Sequence, residues 1–253
     1  MMRRFFRRIN SSLKKPERKG RRFCEKKAIS VLCAAVFMMA VGTPVLAAQS
    51  NVRIQSIQEE MTGERAQFSV SYPRLTCMSD EKAQERLNVM LAEQAKRAKV
   101  EVKAAMEKGD PVDGEIGFET ARNGGGIVSL VIHEYLYTGG ANGRTTKEGF
   151  TFLSTTGQKL ELMDLLKPDS GALETINGEI SRQIEERGLV GEQIEEFTSI
   201  ARNQPYYLTG DSLVILIPEI TLFAHSAGVV EIPNFPSIPK PMELEAKLMQ
   251  GLL

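Results

Sequence analysis

The sequence predicts an α+β fold: an antiparallel sheet with a long packed helix, followed by a second α/β portion. Three observations carry this. From Asp80 to Lys108, apolar residues recur at Ala83, Leu87, Met90, Leu91, Ala95, Ala98, Val102, Ala105 and Met106, the period of a helix with one buried stripe. In "GIVSLVIHEYLYT", Val128, Leu130, Ile132 and Leu136 share one strand face, while Ile127, Val131, His133 and Tyr135 share the other. A strand apolar on both faces belongs at the centre of a sheet. Helical and strand patterns then follow one another again from "LELMDLLKPDS" to "GVVEIPNF".

The chain opens with a basic stretch, residues 1–27, holding 12 Lys and Arg against Glu17 and Glu25. An uncharged run, Ala28–Ala48, follows, and its strongly apolar part ends at Val41. That part has the length of a signal-peptide core and is short for a span of about 20 residues. Gly42 and Pro44 break it, and Val45 and Ala47 fit a cleavage site before Ala48. Residues 1–47 therefore read as a signal peptide with a long basic leader, with an uncleaved membrane anchor as the competing reading. In both cases the remainder is exported to the cell envelope or beyond.

The exported part keeps 20 of 32 basic and 30 of 32 acidic residues. It is acidic, so a polyanion such as nucleic acid is excluded as a bulk partner. Cys24 and Cys33 lie in the targeting segment, which leaves Cys77 as a buried thiol with no internal disulfide partner.

Residues 48–125 are expected to form an N-terminal α+β subdomain. "NVRIQSIQEE" is a weakly alternating strand, and "ERAQFSVSYPRL" a second one that Pro73 ends. Ser79 caps the long helix, and Gly109 and Pro111 stop it. "GEIGFETARN" pairs with the two-sided strand through the turn Asn123–Gly126. Residues 126–236 form a C-terminal α+β subdomain. In it "TTKEGFTFLS" is a strand, residues 171–186 an amphipathic helix, residues 192–201 a second helical piece, and "YYLTGDSLVILIPEI" a strand pair turning at Gly210-Asp211. Residues 237–253 are a proline-rich tail.

"YLYTGGANGRTTKEGF" joins two of these strands. A phosphate-binding loop needs a helix directly behind its glycines, and here a strand follows. Gly139, Gly140 and the Asn142-Gly143 pair then serve a tight turn that needs positive φ.

The order of "YTGGANG", "FTFLSTTGQKLELMDLLKP", "NQPYYLTGDSLVILIPEI" and "AGVVEIPNF" resembles a cell-envelope domain of poorly defined function. That domain occurs in the extracytoplasmic part of RsiV-type lysozyme-sensing anti-sigma factors and ahead of the catalytic domain of PdaC-type peptidoglycan deacetylases. "FSVSYPRL" and the long helix resemble its usual N-terminal companion. Asn142 stands where that family often has histidine, and His225 interrupts its aromatic-rich phrase. The resemblance implies the exported portion of such proteins, without the deacetylase or the sigma-binding part.

Catalytic residues, metal ligands and cofactors are not expected. His133 and His225 are isolated, and the chain has no His-x-x-x-His or Cys-x-x-Cys. His133 reads as a sheet histidine. His225 beside Ser226 suggests a base and a nucleophile, but no third group is indicated. The expected function is a non-catalytic binding domain for cell-wall glycan or a cationic, lysozyme-like protein. Its ligand-binding residues would be Tyr135, Tyr137, Gly139, Gly140, Asn142, Tyr206 and Tyr207, the tyrosines stacking on sugar or anchoring an interface. A membrane-anchored stress sensor and a small envelope hydrolase using His225 are the alternatives. A cleft that joins His225 to a carboxylate would favour the hydrolase.

Overall fold

The computed structural model describes residues 52–166 and 171–235. The expected signal segment and proline-rich tail lie outside them. Chain order gives β1 (Arg53–Gly63), β2 (Ala66–Thr76), α1 (Glu81–Lys108), β3 (Val112–Gly124), β4 (Ile127–Tyr137) and β5 (Arg144–Leu153). Then come α2 (Leu162–Leu165), α3 (Ala172–Glu186), β6 (Tyr206–Leu208), β7 (Leu213–Ile217) and β8 (Val230–Pro233). Strands β1 to β5 form one sheet in chain order, and β6, β7 and β8 form a second.

The first sheet is mixed rather than antiparallel. β2 and β3 run parallel, with Ala66 opposite Val112, while its other neighbouring pairs are antiparallel. The 28 residues of α1 are the cause. A helix of about 40 Å returns the chain to the end where β2 began, so β3 enters in the same direction. Asp80, not Ser79, caps α1: its side chain accepts a hydrogen bond from the Ala83 amide at 2.9 Å. Asp80 keeps extended dihedrals one residue before the helix, the position from which a short carboxylate reaches the third helical amide. Gly109, at φ 77°, closes the other end.

Seven residues of the predicted stripe, from Ala83 to Ala105, are buried, and Met90 and Met106 pack partly against them. They meet Phe68, Val70, Ile116, Val128, Leu130 and Ile132 from the sheet. Ile127, on the opposite face of β4, belongs instead to a second core with Ile176, Ile180, Ile215 and Phe223. The sheet is thus a wall shared by two cores, which is why β4 is apolar on both sides. Ser129 on that second face bonds the Thr151 hydroxyl at 2.8 Å and accepts the Leu208 amide at 2.9 Å, tying β6 to the wall. The boundary expected at 125–126 falls in the Gly125-Gly126 turn, and the first sheet runs across it to Leu153.

Three local expectations are corrected. β2 continues through Pro73, which pairs with Ser56 of β1. β3 leaves β2 after Val70, so Pro73 sits where one side of its strand has no partner strand, and a missing amide proton is tolerated there. Residues 192–201 are not helical beyond a 3-10 turn at Leu189–Glu192. The Ile194 amide donates to Leu222 and the Ala224 amide to Glu192, and Gln193 bridges Phe223, so this backbone pairs laterally instead of coiling. Cys77 is half-buried and disulfide-bonded, not a buried thiol. The other two cysteines lie outside the described residues, among which no helix is long and apolar enough to cross a membrane.

Candidate functional site

The turn between β4 and β5 forms one wall of a groove. Gly139 and Gly140 take φ of 92° and 107°, as a tight connection requires, and the Tyr137 hydroxyl donates to the Gly140 carbonyl at 3.2 Å. Gly143 is needed for a different reason, since its φ is not positive. A Cβ there would lie 2.5–2.7 Å from the ring and hydroxyl of Tyr135, so the ring occupies the space that a side chain would fill.

The loop between β7 and β8 forms the facing wall. Glu219, His225, Ser226, Ala227 and Gly228 stand opposite Tyr135, Tyr137, Ala141, Asn142 and Gly143, with Thr145 between, around about 640 Å³ of space. That is within the range of small-ligand sites. Phe223, fully buried, plugs the loop into the second core two residues before His225.

Inside the groove, His225 Nδ1 lies 2.6 Å from Glu219 Oε1. The Glu219 side chain is only 7 % exposed, and its other oxygen accepts the Thr145 amide at 2.8 Å. A carboxylate and an imidazole therefore do share a cleft, and the expectation that His225 has no third group is overturned. The neighbouring hydroxyl is committed elsewhere: Ser226 Oγ donates to Glu192 at 2.7 Å.

Of the seven predicted binding residues, Tyr135, Tyr137 and Asn142 line this groove, and Gly139 and Gly140 shape its turn. Tyr206 and Tyr207 do not contribute. Neighbours on a strand point to opposite sides. Tyr206 is buried, with its hydroxyl donating to the Leu160 carbonyl at 2.6 Å, and Tyr207 turns to Glu231, also at 2.6 Å. Burial raises the hydroxyl pKa of both, and the Glu231 carboxylate raises that of Tyr207 further. Glu231 also pairs with Lys147. The His133 ring sits against Gly117, its partner across the strands, where a Cβ would come within 2.3 Å of Nε2. Among the described residues no three His, Cys, Asp or Glu side chains are grouped as a metal site.

Sequence reasoning missed Glu219, Gly143 and Thr145. For Glu219 the available signal was a carboxylate straight after the apolar run "LVILIP", six residues before the second histidine.

Comparison with known families gives both halves of the groove a context. The model of the family described as deacetylase PdaC matches residues 59–145, and that of DUF3298, described as a protein of unknown function, matches residues 163–233. The two matches follow one another along the chain, a region similar to the PdaC family first and a region similar to DUF3298 after it. The turn wall of the groove lies in the PdaC-type match and the Glu219–His225 wall in the DUF3298 match. A crystal structure of a DUF3298 member from Bacteroides fragilis is similar, with a TM-score of 0.60 and 14 % identity, covering 81 % of this chain and 98 % of that one. A second, from Pseudomonas aeruginosa, has a TM-score of 0.49 and 16 % identity, covering 72 % and 89 %. At such identity the first likeness concerns the fold alone. No curated protein matches the chain.

Proposed function

We propose that the protein is an exported cell-envelope binding domain whose groove takes a neutral cell-wall glycan, and that it is non-catalytic although His225 and Glu219 share the cleft, because the Ser226 hydroxyl beside them donates to Glu192 and not to the imidazole. One observation carries this. The groove at the junction of the PdaC-type and DUF3298 regions exposes aromatic and amide surface but no unpaired charge. Among the described residues Glu219 is the only acidic group lining it, and both of its oxygens are engaged, one by the His225 imidazole and one by the Thr145 amide. A cationic ligand would find no free carboxylate there, whereas a sugar ring can lie on Tyr135, which is 39 % exposed, and bond the Asn142 amide. The basic leader, apolar run and acidic remainder support export to the envelope.

Calorimetry with an N-acetylglucosamine tetramer, and pull-down with purified peptidoglycan, test the reading. Tyr135→Ala and Asn142→Ala are each expected to weaken binding up to about tenfold, while the unfolding midpoint stays within about 2 °C. Wild-type affinity in both variants, or no binding by the wild type, would refute it. The saccharide should be recovered intact; cleavage would turn the reading to a hydrolase using His225.

A second surface favours a cationic protein partner. Glu185, Glu195 and Glu196 line a recess with Phe197 and the exposed Val190 and Ile194, and none of the three is in an ion pair among the described residues. Unpaired carboxylates around apolar side chains suit a basic, partly apolar protein face. Changing both Glu195 and Glu196 to lysine should lower affinity for lysozyme at least about tenfold at low salt, with a smaller effect at high salt. Equal affinity of wild type and variant at low salt would remove this reading.

A further inference from the structure

We propose that Glu219 holds His225 in the tautomer protonated on Nδ1, so that its Nε2 accepts a hydrogen bond from a ligand hydroxyl and makes the groove selective for donor-rich sugars; this rests on the groove being a glycan site. An ionised carboxylate only accepts hydrogen bonds, so the 2.6 Å contact to Glu219 Oε1 places a proton on His225 Nδ1. The carboxylate cannot turn away, because its second oxygen is held by the Thr145 backbone amide at 2.8 Å. In the neutral ring the remaining nitrogen carries a lone pair.

Two further groove hydroxyls have the same polarity. The Tyr137 hydroxyl spends its hydrogen on the Gly140 carbonyl and the Ser226 hydroxyl spends its own on Glu192, so each offers a ligand only lone pairs. Three acceptors in one groove repel carboxylate, phosphate and sulfate, which bring more lone pairs. They match a ligand with several O–H donors, which is the chemistry of a sugar. Asn142, exposed on the facing wall, can satisfy an acetamide or a second hydroxyl.

The decisive variant is Glu219→Gln. Its carbonyl oxygen keeps the Thr145 amide, and its amide nitrogen then faces His225 Nδ1 as a donor. The ring proton is driven to Nε2, and the groove's acceptor becomes a donor without a change of shape. Nitrogen-15 NMR of the histidine ring reads the tautomer directly, and His133 is the only other histidine. The expected result is Nδ1–H in the wild type and Nε2–H in Glu219→Gln. Affinity for the N-acetylglucosamine tetramer should fall about tenfold in that variant and by a similar factor in His225→Phe, which lacks the acceptor. An Nε2–H tautomer in the wild type would overturn the proposal. So would wild-type affinity in His225→Phe, or in a Glu219→Gln protein whose tautomer has inverted. If the wild type binds the tetramer and these variants bind it equally well, the glycan reading survives and this inference alone fails. If the wild type binds no saccharide, both fall.

Discussion

Gly149→Ala is expected to destabilise the protein by about 3 kcal/mol or more, at the upper end of what overpacking costs. A Cβ at Gly149 would lie 1.8 Å from the Tyr206 carbonyl oxygen and 2.6 Å from its carbonyl carbon. The obstacle is backbone, so no rotamer change relieves it. Nor is β6 free to retreat. The Leu208 amide is held by Ser129, the Tyr206 hydroxyl by Leu160, and the Leu216 amide by the Pro205 carbonyl. The residue is therefore a contact point between β5 of the first sheet and β6 of the second. Thermal unfolding should show a midpoint lower by about 6–12 °C. Gly178→Ala, in α3 with nothing near its added methyl, serves as the control and should be neutral or slightly stabilising. A fall of less than about 2 °C for Gly149→Ala would show that the sheets separate at little cost.

The sequence gives no warning of this constraint, because "TTKEGFTFLS" reads as a strand with or without a special glycine. The legible parts of the fold are those whose cause is local. The stripe of α1, its stop at Gly109, the β3–β4 turn and the two faces of β4 each depend on residues a few positions apart. Lateral pairing is where local reasoning failed. Residues 193–194 carry a helix-compatible pattern, yet their backbone groups are taken by residues 222–224. Tyr206 and Tyr207 illustrate a narrower limit: alternation says that they face opposite ways, but only the second core decides that Tyr206 is buried.

The same limit governs the site. Tyr135, Tyr137 and Asn142 were legible because a turn with positive-φ glycines announces itself, and a strand just before it fixes which way its tyrosines point. Glu219 was not, since its partners are His225 across an irregular loop and the Thr145 amide 74 positions earlier. Such a pair has no period or spacing rule to reveal it.

The loop that carries this pair leads to the other large expected effect. Phe223→Ala should cost about 3–5 kcal/mol, the usual loss for removing a fully buried ring, and should also abolish the glycan binding proposed for the groove. The two losses have one cause. Between β7 and β8 the chain is fixed by the Phe223 ring, by the Ile194 amide on the Leu222 carbonyl at 2.9 Å, and by the Ala224 amide on the Glu192 carbonyl at 2.7 Å. Without the ring, a cavity opens beneath residues 222–224, and the two lateral hydrogen bonds must hold the loop alone. His225 follows directly, and its 2.6 Å contact to Glu219 requires the loop to stay in place. Phe223→Leu keeps much of the apolar volume and should retain most of the binding. Denaturant unfolding gives the stability of each variant. Calorimetry with the N-acetylglucosamine tetramer, at a temperature where every variant is folded, isolates the effect on the groove. Wild-type affinity in folded Phe223→Ala would mean that the groove wall does not depend on this anchor.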